Sequence, residues 1–155
     1  MKNLIRTGAA TILLALSTST ISQAQDPALG VWKTIDEKTN QPSSLIRIEE
    51  RNGELIGTVI ELIPTPGEKL VTHCNLCKDE RKDKPIVGMV IMRGLKKEKS
   101  GHWSGGEILD PEEGDTYKVK LATDDGKTLK VRGYIGISLI GRTQVWVRWS
   151  MSVWA

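Results

Sequence analysis

The chain has no phenylalanine, and among its 155 residues only two are histidine and two are cysteine. These absences narrow the chemistry. An enzyme needs a nucleophile with a base, a pair of working carboxylates, or a metal with an open position. His73 and His102 are the only imidazoles, and no catalytic constellation forms around either. The acids Glu107, Asp110, Glu112, Glu113 and Asp115 gather around a Pro/Gly turn, where solvation accounts for them. The sequence therefore predicts a non-enzymatic protein with no catalytic residue and no cofactor.

An excess of one charge is also missing. Setting Lys2 and Arg6 aside leaves 20 basic against 19 acidic residues, interleaved along the chain. A nucleic-acid partner requires a basic stripe with stacking aromatics, so that class is excluded. After the N-terminal segment no apolar run is long enough for a membrane span.

What is present begins at the N-terminus. Lys2 and Arg6 precede TGAATILLALSTSTI, a run without charge, and small residues then lead to Ala24. This pattern predicts a secretory signal peptide over residues 1–24, cleaved after Ala24, and a periplasmic or secreted protein. Residues 25–155 are expected to form a single domain.

Short β-branched and apolar runs bounded by Gly, Pro, Asn and Asp follow, with almost no helical period. The first candidate strand is GVWKTID (30–36). LIRIEE and ELIGTVIELI flank Asn52-Gly53, which suits a type I′ hairpin turn. PIVGMVIMRGL (85–95), HWSGGEIL, TYKVKLAT, KTLKVRGYIG and RTQVWVRW continue the series. Gly105-Gly106 inside a strand implies a bulge or a close backbone approach. Asp110-Pro111 followed by Gly114 implies a turn. About eight strands at short spacing predict an all-β, antiparallel, up-and-down closed barrel, with an open β-sandwich as the alternative.

The stretch from Pro64 to Pro85 carries no strand signal. It is longer than an ordinary connection, so it is a functional lid or a clipped loop. It holds both cysteines, in HCNLCKDERKDKP. Cys74 and Cys77 suit three roles in an oxidising compartment: a disulfide clip, a redox pair activated by nearby cations, or part of a metal site with His73. Lys78 rather than His follows the second cysteine, so a c-type haem is excluded.

Gly30-Val31-Trp32 early in the domain and a late arginine, Arg148 with Arg142 as the alternative, resemble the lipocalin and wider calycin pattern. That resemblance implies a tryptophan closing one barrel end with an arginine over its ring. The longer order GVWKT, NGELIGTV, CNLC, PIVGMVIMRGL, WSGGEILDPEEGDTY and LKVRGYIGISLIGRTQVW resembles the bacterial domain of unknown function 2147 family across the mature chain. It implies an exported, calycin-like barrel without an established activity. The C-x-x-C belongs to the same family pattern.

Three functional readings follow. The first is a binding module holding a small apolar or amphipathic ligand in the barrel, with Val59, Val90, Met92, Tyr117, Val119 and Val131 as interior candidates. The second is an envelope interaction protein using an exposed surface, for which Trp146, Trp149 and Trp154 supply an aromatic C-terminal end but no specific partner. The third is a thiol-redox or metal protein centred on Cys74 and Cys77.

Overall fold

A computed structural model of the chain describes residues 24–150. The expected signal peptide and Trp154 lie outside the described residues, apart from Ala24 itself. Eight strands follow one another: β1 (Gly30–Ile35), β2 (Pro42–Arg51), β3 (Glu54–Leu62), β4 (Val90–Lys99), β5 (His102–Asp110), β6 (Asp115–Ala122), β7 (Thr128–Tyr134) and β8 (Gly141–Arg148). Each pairs antiparallel with the next, and β8 returns to β1 through Trp32 with Arg148 and Lys33 with Val147. The barrel is closed, so no sheet edge is left for a sandwich.

Alternation builds the wall. Val119, Leu121, Leu129 and Val131 are buried, while Lys118, Lys120 and Lys130 between them are exposed. The β2–β3 hairpin turns on Asn52 and Gly53 with φ of 53° and 77°, as a type I′ turn requires. The expected irregularity at Gly105-Gly106 is a bulge: pairing shifts register between Trp103 and Gly106, and Gly105 has φ 78°. Gly106 also faces the β4 backbone so closely that a Cβ would lie 2.5 Å from the Arg93 carbonyl oxygen.

Two strand boundaries differ from the sequence reading. Pro85–Met89 belongs to the β3–β4 connection, tied back through Gly88 N–H to Val59 O at 2.7 Å and Val59 N–H to Met89 O at 3.0 Å. At its other end β4 runs on past Leu95 through Lys96–Lys99, because the pairing of Lys96 with Glu54 and Ser104, of Lys97 with Trp103 and of Lys99 with His102 carries the ladder beyond the apolar run.

The two barrel ends differ. The β2–β3, β4–β5 and β6–β7 turns lie at one end with residues 26–29, and that end is closed. Trp32, Trp103, Leu55, Leu121 and Leu129 fill it. Arg148 lies 4.0 Å from the Trp32 ring centroid and donates to the carbonyls of Gly126 (2.7 Å), Leu29 (2.5 Å) and Pro27. Arg142, the alternative, is at the opposite end, 3.3 Å from Glu37. Asp26 seals the closed end, accepting from the Ala28 N–H (2.9 Å), the Gly101 N–H (3.3 Å) and the Trp103 indole (3.2 Å), with Lys97 at 2.9 Å. Burial alone would raise the pKa of Asp26, yet these donors together hold it below its ordinary value.

Candidate functional site

The other half of the barrel is hollow. A cavity of about 640 Å³ opens between the β1–β2, β3–β4, β5–β6 and β7–β8 connections. Its inner wall is apolar, formed by Ile46, Val59, Ile91, Ile108, Val131 and Trp146. Those side chains come from strands on every side of the barrel, so the hollow is a property of the closed sheet rather than of one loop. The size falls within the range of small-molecule sites.

The polarity changes towards the mouth. Thr34 meets Ser43 and Ser44 through hydroxyl contacts of 2.8 and 2.7 Å, and Tyr117, Tyr134 and Gln144 add further hydrogen-bonding groups. Asp36, Glu37, Lys38, Asp110, Glu112 and Glu113 form the rim with Arg142. Asp110 caps its own turn, accepting from the N–H groups of Glu112 (3.0 Å) and Glu113 (3.2 Å). Glu112 is raised from the ordinary carboxylate value, first because surrounding protein strips hydration from it, then because Asp110, Asp36 and Glu68 repel its charge. Tyr117 is raised by the same two effects, with Glu113 as the nearest acid. The site thus has an apolar interior and a polar, mainly acidic entrance.

Three of the six interior candidates line this cavity: Val59, Tyr117 and Val131. Met92 and Val119 are fully buried in the core without reaching it. Val90 lies on the outer side, where its carbonyl accepts from Arg81 at 3.1 Å. A bulge in β4 causes this placement. Gly57 pairs with Met92 and its neighbour Thr58 with Val90, leaving Ile91 unpaired between them, so Ile91 and Met92 are both buried and Ile91 takes the cavity position. Period-two reasoning cannot find Ile91, because the run VIM is apolar at every position. Trp146, expected in an exposed aromatic end, is instead buried and lines the cavity, while Trp149 is 40% exposed. Ile108 and the Thr34–Ser43–Ser44 cluster carry no sequence signal apart from their inward register.

Cys74 and Cys77 form a disulfide, and both residues are buried, together with Ile86 and Met89, in the barrel core cluster. His73 is exposed and bonds to Thr72 at 2.9 Å. The part of the connection from Thr72 onwards is held by contacts within itself and to β4 and β6. Cys74 N–H donates to Lys84 O and Asp83 N–H to Cys74 O, at 2.9 and 3.0 Å. Arg81 is buried against Asp79 at 2.5 Å, and that contact first of all holds the Asp79 carboxyl at about 2. Lys78 reaches Asp115 at 2.6 Å, and Glu80 reaches Arg93 at 2.9 Å. The loop seats on the β5–β6 turn at Gly114, where a Cβ would collide with the Leu76 carbonyl. The disulfide therefore shapes one shoulder of the mouth, while Ile86 of the same loop reaches the cavity.

Among solved structures the fold is similar to protein HP1028 from the human pathogen Helicobacter pylori, described as belonging to the lipocalin family. The TM-score is 0.69 at 21% sequence identity, over 80% of this chain and 84% of that one. No curated protein matches the sequence. The family model described as an uncharacterized protein conserved in bacteria matches residues 30–148, from the first barrel strand to the last, and the chain belongs to this family, DUF2147.

Proposed function

We propose that the chain is an exported, non-enzymatic binding module that holds one small apolar or amphipathic ligand in the open half of its barrel. The observation that carries this reading is the cavity itself: about 640 Å³, apolar within, polar at the rim, in a barrel whose other end is filled. A barrel meant only as a scaffold gains stability from packing side chains through its whole length. Leaving half of it empty sacrifices that contribution at one end. The likeness in fold to a protein described as a lipocalin supports the reading, as does the resemblance of the N-terminal segment to a signal peptide.

Within this reading Cys74–Cys77 is a structural clip. Exchange requires a thiolate to reach a disulfide sulfur, and both residues are buried beneath their own loop. The rim acids orient a ligand's polar head and take no part in bond making.

Native mass spectrometry of protein purified from the cell that produces it tests the proposal. The expected spectrum contains a one-to-one adduct that organic extraction removes, on a chain beginning at Gln25. Protein of bare polypeptide mass that also fails to bind any acyl-chain amphiphile added in vitro would refute it.

A further inference from the structure

The β7–β8 connection, IGISLI (135–140), is the most apolar exposed segment among the described residues. Leu139 is 84% exposed and Ile137 60%, with Ile135 and Ile140 comparable. Scattered exposed apolar residues are ordinary, but four on one six-residue tip are not. The tip is held in place. Arg132 on the outer wall donates through Nε to Ser138 O at 2.7 Å and through a terminal nitrogen to Leu139 O at 3.4 Å, and Lys120 reaches the Ser138 hydroxyl at 3.4 Å. These bonds fold the connection back over the outside of β6 and β7. Its apolar side chains are therefore presented to solvent.

The wall below continues the surface. Val145 and Val147 face outwards on β8 at 49% and 39% exposure, with Lys130 and Thr128 directly opposite them on β7. Lys118 and Lys120 are exposed on β6, with Lys120 paired to Arg132. The three strands contain one acid, Asp115 at the start of β6, and Lys78 neutralises it. The mouth acids lie on the β1–β2 and β5–β6 connections and at the end of β5, and line the cavity instead of this wall.

We propose that this face, the β7–β8 tip with the β6–β8 outer wall, docks on the surface of an anionic lipid bilayer. Apolar tips entering the headgroup boundary beside a cationic surface are the two attractions that hold peripheral proteins to such membranes. Charge complementarity decides between occupants. A second copy placed symmetrically would bring Lys130 and Arg132 of both chains together, whereas an anionic bilayer pairs them. The docked face adjoins the mouth, since Ile135 and Ile140 border the cavity as well. Docking needs no ligand in the barrel, so it stands or falls separately from the binding proposal.

Cosedimentation tests it, using protein as it accumulates in the producing cell, with the N-terminus verified by mass, because an uncleaved apolar leader would bind lipid by itself. Binding is expected to vesicles of phosphatidylcholine mixed with phosphatidylglycerol, and to weaken by roughly tenfold or more on phosphatidylcholine alone or in high salt. I137S/L139S is expected to weaken binding by on the order of tenfold or more with an unchanged melting temperature. K118Q/K130Q is expected to erase most of the preference for anionic lipid. No binding to either vesicle, equal binding to both, or undiminished binding of I137S/L139S would overturn the proposal. Dimerisation abolished by I137S/L139S would overturn it too, by assigning the face to a second copy.

Discussion

Arg148 concentrates several functions in one side chain. Its guanidinium stacks on Trp32 and donates to three carbonyls that come from the N-terminal segment and the β6–β7 turn. Burial lowers its pKa, though an arginine remains charged throughout the working range. Lysine keeps the charge but cannot match the fork of donors. R148K is therefore expected to cost about 2 kcal/mol in urea unfolding, and R148A more, since unpaired buried carbonyls carry their full desolvation cost. The arginine was legible in the sequence; its three carbonyl partners were not, because backbone acceptors leave no trace in side-chain identity. Asp26 carries no sequence signal for a similar reason: it stands beside the expected cleavage site, and only the fold brings Lys97 and Trp103 to it.

Asp79 gives a pH prediction at the same scale. Its folded pKa of about 2 lies below the ordinary 3.8, chiefly through the Arg81 side chain. A depressed carboxylate contributes stability that is fully present above the ordinary value and is lost as pH falls through the folded one. Acid titration of the melting temperature is expected to show a loss between about pH 4 and 2 that D79N removes. At neutral pH D79N should cost about 2 kcal/mol, less than for a fully buried pair, because Asp79 keeps 32% of its side-chain surface exposed.

At the scale of elements, the β3–β4 connection behaves as a built part of the barrel. Its length and missing strand signal left a lid and a clip as alternatives. Its hydrogen bonds, buried Arg81 and seat on Gly114 favour the clip. The Cys74–Cys77 ring is very small, so C74A/C77A is expected to lower stability by only about 2 kcal/mol, measured by denaturant unfolding, while the barrel still closes. Gly114 is the more sensitive position, since φ 74° and the Leu76 carbonyl both oppose a side chain. G114A should cost at least about 2 kcal/mol and expose the connection to proteolysis. If G114A resists protease as the parent does, the loop is not seated on that turn. The β4 bulge marks where reading by period fails: VIM offers three equivalent apolar residues, and only the pairing of Gly57 with Met92 and Thr58 with Val90 selects Ile91 for the cavity.

For the whole molecule, closure of eight antiparallel strands followed from strand count, turn residues and alternation, signals that are local in sequence. The cavity was not legible in that way. Filling is a question of summed side-chain volume across strands distant in the chain. Trp32 and Trp103 fill one end, while Gly133, Ser43, Ser44 and Thr34 are too small to fill the other. Gly133 offers the direct means of testing the hollow. It borders the cavity, and a Cβ there meets nothing closer than Tyr117 Cβ at 3.7 Å and Ile108 Cγ2 at 4.0 Å, so a larger side chain must project into the open space. The decisive measurement is fluorescence titration of an acyl-chain amphiphile carrying an environment-sensitive dye, against the parent protein and G133F at matched melting temperature. Saturable one-to-one binding by the parent, lost by tenfold or more in G133F, is the predicted result; equal binding by the two proteins would contradict a ligand site inside the barrel.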